Sequence, residues 1–292
     1  MKKISLIIPV FNTKTWNYIC FDAIKRLANR EEIEVIAVFN NCLGNIIDKV
    51  REYGIDKEII LESNFGCPEG FNIGAKNASC DLLCFAHTDT IFPKDFFSDA
   101  YNKFIEYKED DDEAIVGICP LTNYTNIIQL KVTDDIVEKY CEYKHNNKSI
   151  RTKREVEDSI IEFYKSLGTQ VNDGSMLDYI NKFYDGVKNR NEGKFSFLSD
   201  ISHFCFIVEK NIFNEMSCFD KEYFPIGFFE KDFLDRLIHS GYSVLALRDL
   251  YVHHNGNTTS DFFGFNLENI LKNSEKLYHK KQDIRYLTNP NI

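Results

Sequence analysis

No uninterrupted apolar run in this 292-residue chain approaches the roughly 18 residues needed to span a bilayer. A transmembrane segment is therefore not expected, although peripheral contact with a membrane is compatible with this. The opening Met1-Lys2-Lys3-Ile4-Ser5-Leu6 runs into strand-like sequence without a cleavage site, so the expected location is the cytoplasm or the cytoplasmic face of a membrane. Paired C-x-x-C spacing is also missing. The nine cysteines are odd in number and scattered over apolar segments, which reads as reduced packing residues rather than disulfides or a zinc site. Basic excess is lacking too: Lys+Arg number 35 against Asp+Glu 45, for a formal net charge of −10. That sign repels nucleic acid, and no basic patch overrides it. A phosphate-bearing ligand would need a metal ion or backbone amides to hold it. Internal repeats and low-complexity tracts are absent, and 43% hydrophobic with 27% charged residues is ordinary globular composition.

What is present alternates. Ile4 to Val10, Val35 to Phe39, Ile59 to Leu61, Leu82 to Ala86 and Ile115 to Cys119 read as buried strands. Amphipathic stretches separate them, including Thr15 to Ala28 and Lys94 to Tyr107. This spacing predicts an α/β fold with a mostly parallel central sheet flanked by helices, whose ligands bind beyond the carboxyl ends of the strands. From 131 to 194 the texture turns helical and charged, which predicts a helical insertion. Strand patterns return at Ser202 to Val208, Tyr242 to Leu247 and Leu250 to His253, with a helix from Phe229 to His239 and a C-terminal helix within 266–292.

Polar residues gather at the predicted strand ends. The first strand closes on Pro9-Val10-Phe11-Asn12, and the second on Asn40 to Asn45. The loop Asn64 to Gly74 enters a helix, but its spacing differs from both the dinucleotide and the P-loop fingerprints. Absence of G-x-G-x-x-G after the first strand argues against a nicotinamide oxidoreductase. Phe11 to Trp16 lacks the Gly-rich basic loop that a sugar nucleotidyltransferase would want. Strand four delivers His87-Thr88-Asp89, where a rigidly held carboxylate beside an imidazole suits a divalent cation; a turn that caps the next helix is the structural alternative. Glu230 and Asp232 stand in the first turn of a predicted helix, where the macrodipole favours ionised carboxylates suited to act as a base, and where acidic residues are also ordinary helix design. His253-His254 closes an apolar strand, one side chain facing in and one out.

In this order, these segments resemble the family 2 glycosyltransferases of the GT-A fold, over nearly the whole chain except 131–194. The resemblance implies one domain, 1–292. Within it, residues 1–120 form a nucleotide-sugar-binding half and 195–265 an acceptor and catalytic half. By that resemblance Pro9, Phe11, Asn12, Asn40, Asn64, Gly66, Asn72, His87 and Thr88 bind the donor. Asp89 and His253 hold Mn²⁺ or Mg²⁺, Glu230 is the base, and Asp232 orients the acceptor or the base. The implied activity is inverting, hexosyltransferase-like transfer from a nucleoside diphosphate sugar, foremost a UDP-sugar, with dTDP- and GDP-sugars as further donors. The acceptor is a hydroxyl of a glycan, lipid-linked or protein partner, as in polysaccharide biosynthesis. Departures from the family pattern are Asn40 and Asn45 in place of acidic residues, His87 in place of the first Asp of D-x-D, and Phe71 where a basic residue is common. They support an alternative: a catalytically silent nucleotide-sugar-binding or assembly protein.

Overall fold

The computed structural model describes residues 1–109, 114–123, 125, 127–132, 175–202, 204–256 and 266–288. In chain order the elements are β1 (Ile4–Val10), α1 (Lys14–Lys25), β2 (Ile33–Asn40), α2 (Gly44–Arg51), β3 (Lys57–Leu61), α3 (Gly66–Asn77), β4 (Leu82–Ala86), β5 (Thr90–Ile91), α4 (Phe96–Glu109) and β6 (Ile115–Thr122). They continue with α5 (Ser175–Asn191), β7 (Phe195–Phe197), β8 (Cys205–Glu209), α6 (Lys210–Glu215), α7 (Phe229–His239), β9 (Ser243–His254) and α8 (Leu267–Thr288). No helix among the described residues is long and apolar enough to cross a membrane.

The strands form one sheet in the order β3-β2-β1-β4-β8-β6-β9-β5, with β7 paired to β9. From β3 to β4 every pairing is parallel, as the alternating sequence predicts. Beyond β4 the sheet is mixed, because β8 runs antiparallel to both β4 and β6, while β9 runs parallel to β6. Every residue of β2 is buried, since helices cover both faces of the interior strands, whereas β3 at the edge alternates and leaves Ile60 exposed.

Helix α3 lies close on β1 because Gly70 and Gly74 share its inner face. A Cβ at Gly74 would stand 2.3 Å from an Ile7 methyl, and one at Gly70 would stand 3.3 Å from Pro9. A cluster of phenylalanines fills the space between α3, β4, α6 and α7. Phe219 centres it, with ring centroids 4.9 Å from Phe85 and 5.0 Å from Phe213 and Phe229. Because Phe229 and Phe233 of α7 insert into this cluster, the start of that helix is fixed where the catalytic carboxylate is expected.

Two predicted strands, Tyr242 to Leu247 and Leu250 to His253, are one strand in the structure. β9 crosses Arg248 and Asp249 through a register shift against β6, between Pro120 and Leu121. Asp249, 1% exposed, holds the irregularity by accepting from Lys103 Nζ at 2.6 Å and from the Gly193 amide at 2.9 Å. Of the expected insertion at 131–194, α5 packs on β9, and residues 133–174, including the helical pattern around Val156 to Leu167, lie outside the described residues. The cysteines other than Cys141, which is also outside them, are free thiols.

Candidate active site

A cavity of about 480 Å³ opens beyond the carboxyl ends of β1, β2 and β4, where a parallel sheet presents its ligands. Pro9 and Phe11 from the end of β1, Asn40 from β2, Asn64 and Gly66 before α3, and His87, Thr88 and Asp89 after β4 all line it. Glu230 reaches it from the far side, and His254 from the end of β9.

The short strand β5 brings the distant parts together. Its Thr90 pairs with His254 and its Ile91 with His253, so the end of β9 lies beside the His87-Thr88-Asp89 turn. The Asn255 amide donates to the Asp89 carbonyl at 2.9 Å. Asn123 grips the main chain of His254 from the other side, donating to its carbonyl at 3.1 Å and accepting from its amide at 2.8 Å. Neither contact has a sequence signal, because the first depends on how β5 pairs with β9 and the second on how β6 does.

Here the structure distinguishes the two histidines at the end of β9. Adjacent residues of a strand face opposite sides, and it is His254, not His253, that turns toward Asp89. His254 Nε2 lies 3.5 Å from Asp89 Oδ1, and His87 Nδ1 lies 3.9 Å from the same oxygen. These three side chains offer donor atoms within 4.8 Å of one another. His253 faces the interior, 6% exposed, with Nδ1 2.9 Å from the Tyr251 hydroxyl. Burial, aided by neighbouring His254, pushes its pKa down to about 3. Burial also lowers His87 to about 4, opposed by Asp89 and reinforced by His254. Two imidazoles beside a carboxylate form a donor set that suits a divalent cation.

A second difference concerns Asp232. It follows Glu230 by two residues, about 200° around a helix, so the two carboxylates point to different faces. Glu230 lines the cavity; Asp232 does not. Fully buried, Asp232 accepts from Arg236 Nε at 3.0 Å, from Arg285 of α8 at 2.6 Å and from the Tyr223 hydroxyl at 3.3 Å. It ties the C-terminal helix to α7 and lies outside the cavity wall.

Asn40 laces two loops together. Its Nδ2 donates to Asn64 Oδ1 at 3.0 Å and to the Gly66 carbonyl at 3.1 Å, while its Oδ1 accepts from the Phe65 amide at 2.9 Å. Asn12 and Asn72, expected among donor-binding residues, are not in the cavity wall. Asn12 holds the loop after β2 through the Asn41 carbonyl and the Leu43 amide. Asn72 makes paired bonds to both main-chain groups of Phe219, at 2.8 and 3.0 Å.

Other wall residues were not legible in the sequence. Asp200, between β7 and β8, has its pKa raised by burial, with Lys231 opposing the shift. Lys231 itself lines the cavity while ion-paired to Asp235. Leu267, Ile270 and Leu271 of α8 make one side apolar.

A central sheet flanked by helices, with a pocket at the strand ends, is the fold that this chain shares with solved GT-A glycosyltransferases. Residues 5–126 match the family model described as Glycosyl transferase family 2. Glycosyltransferase GlyA of Streptococcus pneumoniae is 27% identical over 111 residues, 37% of this chain and 16% of that protein. The chain thus spans less than a fifth of that relative's length. Two solved structures share the fold. Mannosyltransferase PcManGT from Pyrobaculum calidifontis, in complex with GDP-Man and Mn²⁺, superposes with a TM-score of 0.53 at 11% identity, covering 87% of this chain and 56% of that one. GalNAc-T7 with UDP, GalNAc and Mn²⁺ gives a TM-score of 0.56 at 11% identity, covering 87% and 44%.

Proposed function

We infer that the protein is an inverting glycosyltransferase that moves a sugar from a nucleoside diphosphate sugar, foremost a UDP-sugar, to a hydroxyl of a glycan or lipid-linked acceptor. The observation that carries this reading is the convergence of Asp89, His254 and Glu230, from three separate elements, on one cavity.

In this reading His87, Asp89 and His254 hold a divalent cation, with Mn²⁺ favoured over Mg²⁺ because two of the three donors are imidazole nitrogens. The bound ion would neutralise the charge that develops on the departing diphosphate, because the cavity wall offers Lys231 as its basic side chain and that group is ion-paired to Asp235. Pro9, Phe11, Asn64, Gly66 and Thr88 would line the donor side. Glu230, 6% exposed at the first turn of α7, would take the proton of the attacking hydroxyl. Attack from the face opposite the leaving diphosphate inverts the anomeric centre. The apolar side formed by α8 suits an acceptor with a hydrocarbon portion. Residues 1–120 would serve the donor and 195–265 the acceptor.

A binding-only reading draws on Asn40, whose amide is engaged by the neighbouring loop where the family has a carboxylate. One experiment separates the two. UDP-, dTDP- and GDP-sugars are screened by thermal shift with and without Mn²⁺, and the best donor is then assayed for release of the nucleoside diphosphate. A ligand that binds only the folded state raises the melting temperature. Mn²⁺-dependent stabilisation followed by Glu230-dependent turnover is the expected result. Stabilisation without turnover, over a panel of glycan and lipid-linked acceptors, would leave a binding protein.

A further inference from the structure

Helix α3 approaches the His87 imidazole with two residues four apart, Cys67 and Phe71, which share one helix face. The Phe71 ring lies 3° from parallel to the imidazole, with centroids 5.9 Å apart. The Cys67 sulfur is 3.3 Å from His87 Nε2. The other ring nitrogen, Nδ1, faces Asp89 Oδ1 at 3.9 Å, too far for a hydrogen bond. Ligands about 2.1 Å from a shared ion sit roughly 3 to 4 Å apart, so this spacing suits an ion between the two. The start of α3 is itself pinned: the Cys67 amide donates to the Pro225 carbonyl at 2.8 Å, and a Cβ at Gly66 would stand 3.0 Å from that same oxygen. A neutral imidazole has one N–H and one lone pair, and the partner of one nitrogen decides the role of the other.

We propose that Cys67 is a positioning residue for the metal group: its sulfur accepts the Nε2–H of His87, leaving the Nδ1 lone pair aimed at the space shared with Asp89 and His254. This rests on the reading of that group as a metal centre. It explains how a histidine can occupy this position and still present a ligand atom, since partners of a ligating imidazole fix its tautomer and orientation. Phe71, where a basic residue would compete for the carboxylate, supplies the flat wall that keeps the ring in place.

The test uses the full chain without any sugar nucleotide. Co²⁺ binding is followed by visible absorption for the wild type, Cys67→Ala, Cys67→Ser and His254→Ala, with the metal-free melting temperature of each as a folding control. In parallel, ¹⁵N chemical shifts of His87 report its tautomer before metal is added. The expected result is an Nε2–H tautomer in the wild type and Co²⁺ affinity about 10- to 100-fold weaker in Cys67→Ala. The Ser hydroxyl accepts the same proton, so Cys67→Ser should recover most of the affinity. Unchanged affinity and spectrum in Cys67→Ala would overturn the proposal while leaving the metal centre standing. So would an Nδ1–H tautomer in the wild type. An intense sulfur-to-cobalt charge-transfer band, lost in Cys67→Ser, would make Cys67 a ligand and also overturn it. Failure of the wild type to take up Co²⁺ would remove the metal centre together with the proposal.

Discussion

His254 Nε2 stands 3.5 Å from Asp89 Oδ1, although one residue ends β9 and the other follows β4. The pairing of Thr90 with His254 creates this contact, and the Asn123 amide fixes the main chain behind it. The neighbouring His253 is the same residue type with the opposite orientation. The two side chains therefore have different surroundings, Asp89 and His87 for one and Tyr251 for the other.

Replacing His254 by Ala should weaken Mn²⁺ binding by tenfold or more, about 1.4 kcal/mol, as should Asp89→Ala. His253→Ala should instead lower stability through loss of its buried contact with Tyr251, with metal affinity kept per folded molecule. Isothermal titration with Mn²⁺ and thermal melts of the variants separate the two effects. Equal loss of metal affinity in His253→Ala and His254→Ala would sink the assignment.

Glu230→Gln should leave donor binding within a few-fold of wild type and reduce turnover by two orders of magnitude or more, as expected for a group that acts mainly in the transition state. Steady-state release of the nucleoside diphosphate, alongside donor titration, measures both. Near-normal turnover would mean that another carboxylate, Asp200 foremost, takes the proton.

Asp232→Ala leaves Arg236 and Arg285 facing each other without their shared carboxylate. A cost of about 1.5–3 kcal/mol is the expectation for losing charge-assisted hydrogen bonds whose arginine partners stay partly solvated. Denaturant unfolding reads it directly. Because Asp232 is outside the cavity wall, turnover per folded molecule should change little.

Glu34 sets an acid limit on stability. Burial alone would raise its pKa, but bonds from Lys57 at 2.8 Å, the Ser5 hydroxyl at 2.6 Å and the Ser79 amide at 2.7 Å outweigh burial and bring it from 4.5 to about 2. A depressed carboxylate contributes its full stability above pH 4.5 and loses it as pH falls toward 2. Glu34→Gln should cost roughly 2 kcal/mol at neutral pH, after allowance for solvent screening at Lys57, and flatten the melting temperature between pH 4.5 and 2. A wild-type and variant pair with parallel pH profiles would refute this.

The sequence by itself determined the layered α/β fold, the strands from Ile4 to Ala86, the placing of Asp89 just past a buried strand and that of Glu230 in the first turn of a helix. These rest on local periodicity: a buried strand reads as a continuous apolar run, and its end is where a polar residue must emerge. Only the tertiary structure decided that β8 runs antiparallel, that β9 passes through a bulge at Asp249, and that His254 rather than His253 meets Asp89. It also moved Asp232 into an ion-paired junction and set Cys67 against His87. Each of these depends on register or on contacts between residues far apart in the chain. A one-residue shift turns every side chain of a strand to its other face, and composition carries no record of that choice.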